Sequence, residues 1–143
     1  MKSAQRGMTL VELMTVMVIV AILASIAIPS YRSYLVRSNR ADAKSALMQV
    51  QAAQEKFYLQ NNAYTNNVAG APPAGLGLSA TTTNGFYTLT VTPGTGNQSY
   101  TATAAPTAAG GQSSDSKCGS YTLTDIGKRG ITGGTDTVAN CWK

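Results

Sequence analysis

The sequence predicts an α+β fold in which one long N-terminal helix packs on a small antiparallel β-sheet. An apolar run opens the chain, a helical pattern continues beyond it, and short alternating segments fill the C-terminal part. We expect a leader at 1–7, a membrane-spanning helix at 8–29, an amphipathic second half of that helix at 30–61, and the sheet with a C-terminal loop at 62–143.

The apolar run is long enough to cross a membrane. From Met8 to Ile28 it would extend about 31 Å as a helix, which matches the thickness of a bilayer core. Lys2 and Arg6 precede the run, so the positive-inside rule places the N-terminus in the cytoplasm. Three arginines also follow the run and argue mildly for the opposite orientation.

Glu12 near the start of this run leaves three interpretations open. The run is a secretory signal peptide cut near Ser25–Ala27, or a plain membrane anchor in which Glu12 reaches the headgroups. A carboxylate at the centre of such a helix costs about 2.5–3.5 kcal/mol, and less near the interface. In the third interpretation the leader is cut after Gly7, and the new amine of Met8 lies four residues from Glu12. Amine and carboxylate then attract each other strongly at low dielectric.

The segment "RGMTLVEL" resembles the prepilin signature of type IV pilins and pseudopilins. The matching residues are Gly7, Thr9, Leu10, Glu12 and Leu13. Met8 departs from the family, which most often has Phe there. The resemblance implies that a prepilin peptidase cuts after Gly7 and methylates the amine of Met8. It also implies that Glu12 pairs with the N-terminus of a neighbouring subunit during filament assembly.

The helix is expected to continue past Pro29, which should kink or locally open it without ending it. Residues 30–60 contain no Gly or Pro and are rich in helix-forming residues. Apolar residues recur there at helical spacing, which predicts a stripe that packs on the sheet. The stripe consists of Ala43, Ala46, Leu47, Val50, Ala53 and Phe57. A helix from Thr9 to about Gln60 would be roughly 78 Å long.

Three segments after the loop at 62–85 alternate as strands do. They are residues 86–92, 99–105 and 119–126, and "GKRG" after the last one is expected to turn the chain. The residues expected to face the helix are Tyr87, Leu89, Val91, Tyr100, Ala102, Ala104, Tyr121 and Leu123. Such a sheet and the helical stripe would bury each other's apolar faces.

The two cysteines, Cys118 and Cys141, are interpreted as one disulfide if the chain is exported, and as two buried thiols if it is cytoplasmic. The disulfide would enclose the third strand and the tail. It also resembles the C-terminal disulfide of pilins, which closes an exposed variable loop.

No pattern in the sequence indicates an enzyme, a metal site or a cofactor. The chain contains no histidine, and two cysteines alone make a zinc site a poor interpretation. The acidic residues after the apolar run are scattered, so we interpret them as solvated surface charges. They are Asp42, Glu55, Asp115, Asp125 and Asp136.

Basic residues near the expected disulfide suggest a second role, contact with DNA. Lysine and arginine bind phosphates, and an aromatic ring stacks on a base. The candidates are Lys117, Lys128, Arg129, Trp142 and Lys143. The alternative interpretation is that they are ordinary solvated turn charges, with Trp142 capping the core. Without Lys2 and Arg6, nine basic side chains face six acidic ones, a net charge of only +3.

The segments "NRADAKSALMQVQAAQEKFYLQNNAYT" and "CGSYTLTDIGKRG" resemble the PilE-like minor pilins, a group that includes DNA-uptake receptors. This implies a structural subunit, a minor pilin, of a type IV pilus that supports twitching motility, adhesion or DNA uptake. The alternatives are a DNA-binding competence pilin and a pseudopilin of a type II secretion system. The implied partners are other pilin subunits, a prepilin peptidase, the bacterial inner membrane before assembly, and DNA. The C-terminal domain would be periplasmic first and extracellular in the pilus.

Overall fold

A computed structural model describes residues 8–143, which contain one long helix and a four-stranded sheet. Helix α1 comprises Leu10–Asn61 and continues through Pro29. It ends where Asn62 adopts a left-handed conformation (φ 52°), which asparagine tolerates better than most residues. The predicted long helix is confirmed. The chain divides into two compact units, Met1–Leu35 and Val36–Lys143.

The sheet is an antiparallel meander in the order β1-β2-β3-β4. The strands are β1 Tyr87–Pro93, β2 Tyr100–Pro106, β3 Ser120–Thr124 and β4 Arg129–Thr132. The three predicted strands are confirmed. The turn expected at "GKRG" is confirmed, but its last two residues, Arg129 and Gly130, already pair with β3 in a fourth strand that was not predicted. Short helices were also missed: 3-10 turns at Thr95–Asn97 and Ala109–Ser114, and α2 at Val138–Cys141.

One face of the sheet and part of α1 form the hydrophobic core. All eight strand residues predicted to face the helix are buried. From α1 the core takes Ala43, Ala46, Leu47 and Val50, with Ala53 and Phe57 partly buried against it. The predicted stripe and the alternation of the strands therefore placed the core correctly.

Gln54 lies fully buried in α1, although it interrupts the apolar stripe. Its side-chain amide donates to the carbonyl oxygen of Thr65 at 2.6 Å and its oxygen accepts from the Thr65 amide at 3.2 Å. Because both ends of the side chain are satisfied, its burial costs little. The pair fixes the start of the loop between α1 and β1 against the helix.

The loop between α1 and β1 covers one side of the core instead of extending into solvent. Tyr64, Val68 and Leu76 are buried in it. Its last part forms an isolated bridge from Thr81 to Thr88, and Leu89 donates to the carbonyl of Ala80 at 2.7 Å. The loop therefore protects the outer edge of β1 from pairing with other strands.

The opposite face of the sheet is lined by threonine. Buried and less buried positions alternate in β1, β2 and β3, and the outward positions of the four strands carry no charged side chain. Rows of threonine cross the sheet, as in Thr90, Thr103 and Thr122, which are opposite one another in register. β-branched residues favour strands, so this face supports the sheet without entering the core.

Candidate functional site

The start of α1 is closed by a reciprocal pair of side chains, Thr9 and Glu12. The amide and the hydroxyl of Thr9 each donate to Glu12 Oε2 at 2.9 Å, and the Glu12 amide donates to Thr9 Oγ1 at 3.2 Å. This is the capping box expected of a Thr-x-x-Glu sequence at a helix start. Glu12 therefore has a partner within its own chain, a role that the sequence analysis missed. The predicted cleavage site at Gly7 lies outside the described residues.

The first unit displays its apolar side chains. Within its described part, the large hydrophobic residues from Met8 to Tyr34 are more than half exposed, and α1 is long and apolar enough to cross a membrane. The hydroxyl groups of Thr15, Ser25 and Ser33 bond back to carbonyl groups of the helix, as when Thr15 donates to the Val11 carbonyl at 2.9 Å. Such a surface needs a cover of lipid or of other helices.

A buried ion pair joins α1 to the segment before the first cysteine. Arg40 donates to both carboxylate oxygens of Asp115, each at 2.8 Å, and the two side chains are only 12% and 2% exposed. These hydrogen bonds raise the pKa of the Arg40 guanidinium. Asp115 also accepts from the amides of Lys117 and Cys118. The expectation that Asp115 is a solvated charge was wrong, because its partner is distant in sequence.

Gln112 extends this polar cluster into the core. Its amide group donates to the Tyr87 hydroxyl at 2.6 Å and to the Val36 carbonyl at 3.3 Å. Burial raises the pKa of Tyr87, and it raises that of neighbouring Tyr121 to about 12. Both phenols therefore stay protonated at neutral pH. No pattern in the sequence predicts this role for Gln112.

The disulfide between Cys118 and Cys141 is present, with 5.7 Å between the two Cα atoms. Both cysteines are buried. The pairing expected for an exported chain is therefore confirmed, and the bridge encloses β3 as predicted, together with β4 and α2, which were not predicted. Asp136 supports this enclosed segment, because it accepts from the Thr137 amide and the Asn140 side chain, and these bonds lower its pKa.

Trp142 belongs to the core. The residue is 8% exposed, and its indole N–H donates to the Gly130 carbonyl at 2.9 Å. The Arg129 guanidinium lies 5.2 Å from the ring centroid, and the ring of Tyr121 meets it edge to face at 5.6 Å. The ring thus offers no exposed face on which a base could stack, and the alternative interpretation of Trp142 as a core residue is favoured.

The basic residues divide into two groups. Arg129 is opposite Leu123 in register, on the helix side of the sheet. Lys128 precedes it, and both its amide and its carbonyl bond to Thr124. Lys128 thus lies in the exposed turn before β4, whereas Arg129 is the first residue of the strand and packs on Trp142. The single patch expected from the sequence is therefore divided.

Lys44 of α1 joins Arg129 on the helix side, a residue that sequence reasoning missed. Its amino group donates to a main-chain oxygen of Lys143. Partial burial lowers the pKa of Lys44, and the positive charges of Arg40 and Arg129 lower it further. We define the basic surface as Lys44, Arg129 and Lys143.

Two family models match the chain. Residues 2–28 match a prokaryotic N-terminal methylation motif. Residues 29–122 match the model described as type IV minor pilin ComP, DNA uptake sequence receptor. The chain belongs to the type IV pilin family. The resemblance seen in "RGMTLVEL" is thereby confirmed.

Relatives and a solved structure agree with this assignment. The pilin is 40% identical over 73 residues to the type IV major pilin protein PilA of Myxococcus xanthus. This match covers 49% of this chain and 33% of that protein. It is 34% identical over 96 residues to PilE1 of Neisseria gonorrhoeae, covering 67% of this chain and 43% of that protein. A type IV pilin structure from Shewanella oneidensis matches with a TM-score of 0.51 and 25% identity, covering 76% of this chain and 98% of that one.

The matches span only part of the length of the curated relatives. The matched part of this pilin spans a third to less than half of the two curated relatives, and 64% of a Dichelobacter nodosus fimbrial protein, to which it is 38% identical over 108 residues. The solved structure confirms the pilin fold.

Among residues 8–143 no group of three or more His, Cys, Asp or Glu side chains is placed to hold a metal ion.

Proposed function

We propose that this pilin is a structural subunit, a minor one, of a type IV pilus and assembles through its N-terminal helix. The carrying observation is the exposed apolar surface of residues 8–35, most of which lies within the matched N-terminal methylation motif at residues 2–28. Before assembly that surface is covered by the inner membrane, and in the filament it is covered by the helices of other subunits. Filaments built this way would support twitching motility, adhesion or DNA uptake.

The proposal includes processing and export. A prepilin peptidase cuts after Gly7 and methylates the amine of Met8, while the N-terminus faces the cytoplasm. The sheet unit is periplasmic and later extracellular. The disulfide between Cys118 and Cys141 supports this placement, because disulfides persist in oxidising compartments.

Glu12 is proposed to act in assembly, in addition to capping its own helix. Its carboxylate accepts two bonds from Thr9 through a single oxygen, Oε2. The other oxygen is therefore left for the methylated amine of a neighbouring subunit. An ion pair in the apolar filament core is attractive, since little water screens it.

Glu12→Gln and Glu12→Ala should both enter filaments at least tenfold less than wild type. Glutamine also serves in a capping box, so Glu12→Gln keeps the hydrogen bonds of Thr9 and removes only the charge. The variants are co-expressed with tagged wild type, and mass spectrometry compares membranes with sheared filaments. Thr15→Val, which removes a hydroxyl from the same helix, is the matched control and should enter normally.

The same spectra test the processing step, because the first peptide should begin at Met8 and carry a methyl group. A first peptide beginning at Ile28 would establish cleavage as a signal peptide and overturn the assembly proposal. Normal incorporation of Glu12→Gln would show that helix capping, not charge pairing, is the function of Glu12.

DNA binding is the second candidate function, and one specific observation favours it. The model that matches residues 29–122 describes a DNA uptake sequence receptor, and the structure brings Lys44, Arg129 and Lys143 together near the disulfide. Lys117 and Lys128 are also exposed. With a net charge of only +3 after cleavage, we expect non-specific affinity to be micromolar or weaker.

Binding of the full chain to DNA in detergent micelles should weaken steeply with salt. Replacing Lys128 and Arg129 together with glutamine should lower the salt slope by about two phosphate contacts, roughly 0.9 each. The single variants separate the two contributions, because Lys128 lies in the exposed turn before β4 and only Arg129 belongs to the basic surface. Fluorescence anisotropy over a salt series measures the slopes, and Lys56→Gln, an exposed cation of α1, is the control. Equal slopes for wild type and the double variant would exclude DNA contact here.

A further inference from the structure

Two exposed arginines follow the apolar part of α1. The apolar run ends at Ile28, and Arg32 and Arg37 lie further along the same helix, both exposed. Within residues 8–143 neither of them has a carboxylate partner, because the ion pair found there joins Arg40 to Asp115. The sequence also contains no acidic residue between Ile28 and residue 42. We call Arg32 and Arg37 the juxtamembrane arginines.

With α1 inserted in the membrane as proposed above, both side chains are within reach of the lipid headgroups. The Arg32 Cα lies about 6 Å beyond Ile28 along the helix, and the Arg37 Cα lies about 14 Å beyond it. The headgroup layer extends about 5–7 Å from the hydrocarbon core on each side. Side chains of a helix lean toward its N-terminus, so the long side chain of Arg37 points back to that layer. Lys44, about 24 Å beyond Ile28, is too far away.

Two tyrosines mark the same level of the helix. Tyr31 and Tyr34 are 62% and 61% exposed, and their spacing of three residues places them on one side of α1. Tyrosine is enriched at membrane–water interfaces, because its ring is apolar and its hydroxyl is polar. The surface of the membrane is therefore expected near these tyrosines, next to Arg32.

Positive charge at this end of the apolar run opposes the proposed orientation. Cations beside a membrane helix favour the cytoplasmic side, whereas the disulfide supports a periplasmic position for the sheet unit. Arg40 is accounted for by its buried pair with Asp115. The juxtamembrane arginines have no such partner in the described part of their own chain, so their charge indicates a partner outside it.

A second copy of the chain offers these arginines few carboxylates. Of its six acidic residues, five already accept hydrogen bonds from their own chain. These five are Glu12, Asp42, Glu55, Asp115 and Asp136. A lipid leaflet, by contrast, surrounds the helix with phosphate groups. This suits Arg32 and Arg37, which lie about 140° apart around the helix axis.

We propose that the juxtamembrane arginines bind the phosphate groups of anionic lipids in the periplasmic leaflet before the pilin is assembled. This inference rests on the proposed insertion of α1 in the inner membrane. The planar guanidinium group donates two parallel hydrogen bonds to a phosphate. Anionic lipids are preferred to zwitterionic ones, because the phosphate of a zwitterionic headgroup is accompanied by a cation of its own.

The test uses the full-length pilin in phosphatidylcholine vesicles that carry a trace of spin-labelled lipid. Electron paramagnetic resonance measures the fractions of labelled phosphatidylglycerol and labelled phosphatidylcholine that the protein immobilises, and their ratio is the lipid preference. Wild type should prefer phosphatidylglycerol at least about threefold, and Arg32→Gln with Arg37→Gln should lower this preference at least about twofold, because each arginine near the surface attracts anionic lipid. Lys56→Gln is the matched control, since Lys56 is an exposed cation of α1 about 42 Å beyond Ile28. It should leave the preference unchanged.

A conservative variant separates loss of charge from a change of structure. Arg32→Lys with Arg37→Lys keeps both charges and should retain at least about half of the wild-type preference. A loss as large as that of the glutamine variant would overturn the proposal. So would a glutamine variant with the full wild-type preference, because Lys2 and Arg6 would then be its source.

Flotation of the same vesicles distinguishes this inference from the proposed function. Vesicles that are washed at alkaline pH and floated in a density gradient should keep the pilin. Loss of the pilin would overturn membrane insertion and this inference together, whereas retention without any lipid preference would overturn this inference alone. A glutamine variant that keeps the wild-type lipid preference but enters sheared filaments poorly would assign the arginines to a neighbouring subunit, which also overturns the proposal.

Discussion

Replacing Asp115 with alanine should lower the free energy of unfolding of the Val36–Lys143 unit by about 3–5 kcal/mol. The change leaves the Arg40 guanidinium buried without its bidentate partner. It also removes the acceptor of the Lys117 and Cys118 amides at the start of the disulfide loop. Typical domains have only about 5–15 kcal/mol of stability, so this variant should be close to unfolding.

Urea unfolding of the full chain, followed by the fluorescence of its one tryptophan, measures this loss. Trp142 is well placed as a reporter because it packs on Arg129 and Tyr121. Asp125→Ala is the control and should change stability by no more than about 0.5 kcal/mol. The double variant Arg40→Met with Asp115→Leu should recover part of the loss, since it removes both charges but still leaves the Lys117 and Cys118 amides without their acceptor. A loss of less than 1 kcal/mol in Asp115→Ala would contradict the structural role of the pair.

Removing the disulfide should cost about 3 kcal/mol. A crosslink stabilises a fold mainly by restricting the unfolded chain, and a loop of this size contributes about that amount. The sequence separation of the cysteines is 23 residues, and the enclosed segment supplies Tyr121 and Leu123 to the core. We therefore expect loss of the bridge to affect the sheet as a whole.

The variant Cys118→Ala with Cys141→Ala and the reduced wild type should unfold at similar urea concentrations. Alanine is preferable to serine here, because both positions are buried and serine would add a hydroxyl without a partner. Agreement between the two samples separates loss of the crosslink from loss of side-chain packing. A reduced protein that is as stable as the oxidised one would refute the prediction.

These two changes should not be additive. Asp115 accepts a hydrogen bond from the Cys118 amide at 3.3 Å, so the ion pair and the crosslink hold the same piece of chain. Neighbouring sites that share a partner show interaction energies of about 0.5–3 kcal/mol. A complete cycle of the two changes would measure this coupling.

Local pattern was enough to predict the helix and three strands. The alternation in "FYTLTVT" and "SYTATAA" assigned the buried face correctly, because side chains in a strand alternate with a period of two. β4 escaped detection because "RGIT" is short and contains a glycine, so its strand conformation depends on pairing with β3. Gln54 was missed as a core residue since its burial depends on Thr65, which lies beyond the end of α1.

The candidate site was predicted less completely than the fold. The disulfide could be predicted from the number of cysteines and the expected export of the chain. The partner of Asp115 lies 75 residues away, a distance at which no local pattern applies. Adjacency in sequence was also misleading for Lys128 and Arg129, because Lys128 lies in the turn, whereas Arg129 belongs to β4 and packs on Trp142. Lys44 lies near Arg129 and Lys143 only in the folded chain, so no local pattern could assign it to the basic surface.

On the threonine face of the sheet, the preference for strand conformation and the chemistry at the surface depend on different atoms of the same side chain. The branched Cβ of each threonine favours the strand conformation, whereas the hydroxyl meets the surroundings and contributes nothing to the core. Valine or isoleucine at Thr90 or Thr103 would keep the backbone preference and change only the chemistry on display. The outward character of this sheet is therefore open to divergence between lineages while the buried side of the same strands remains constrained.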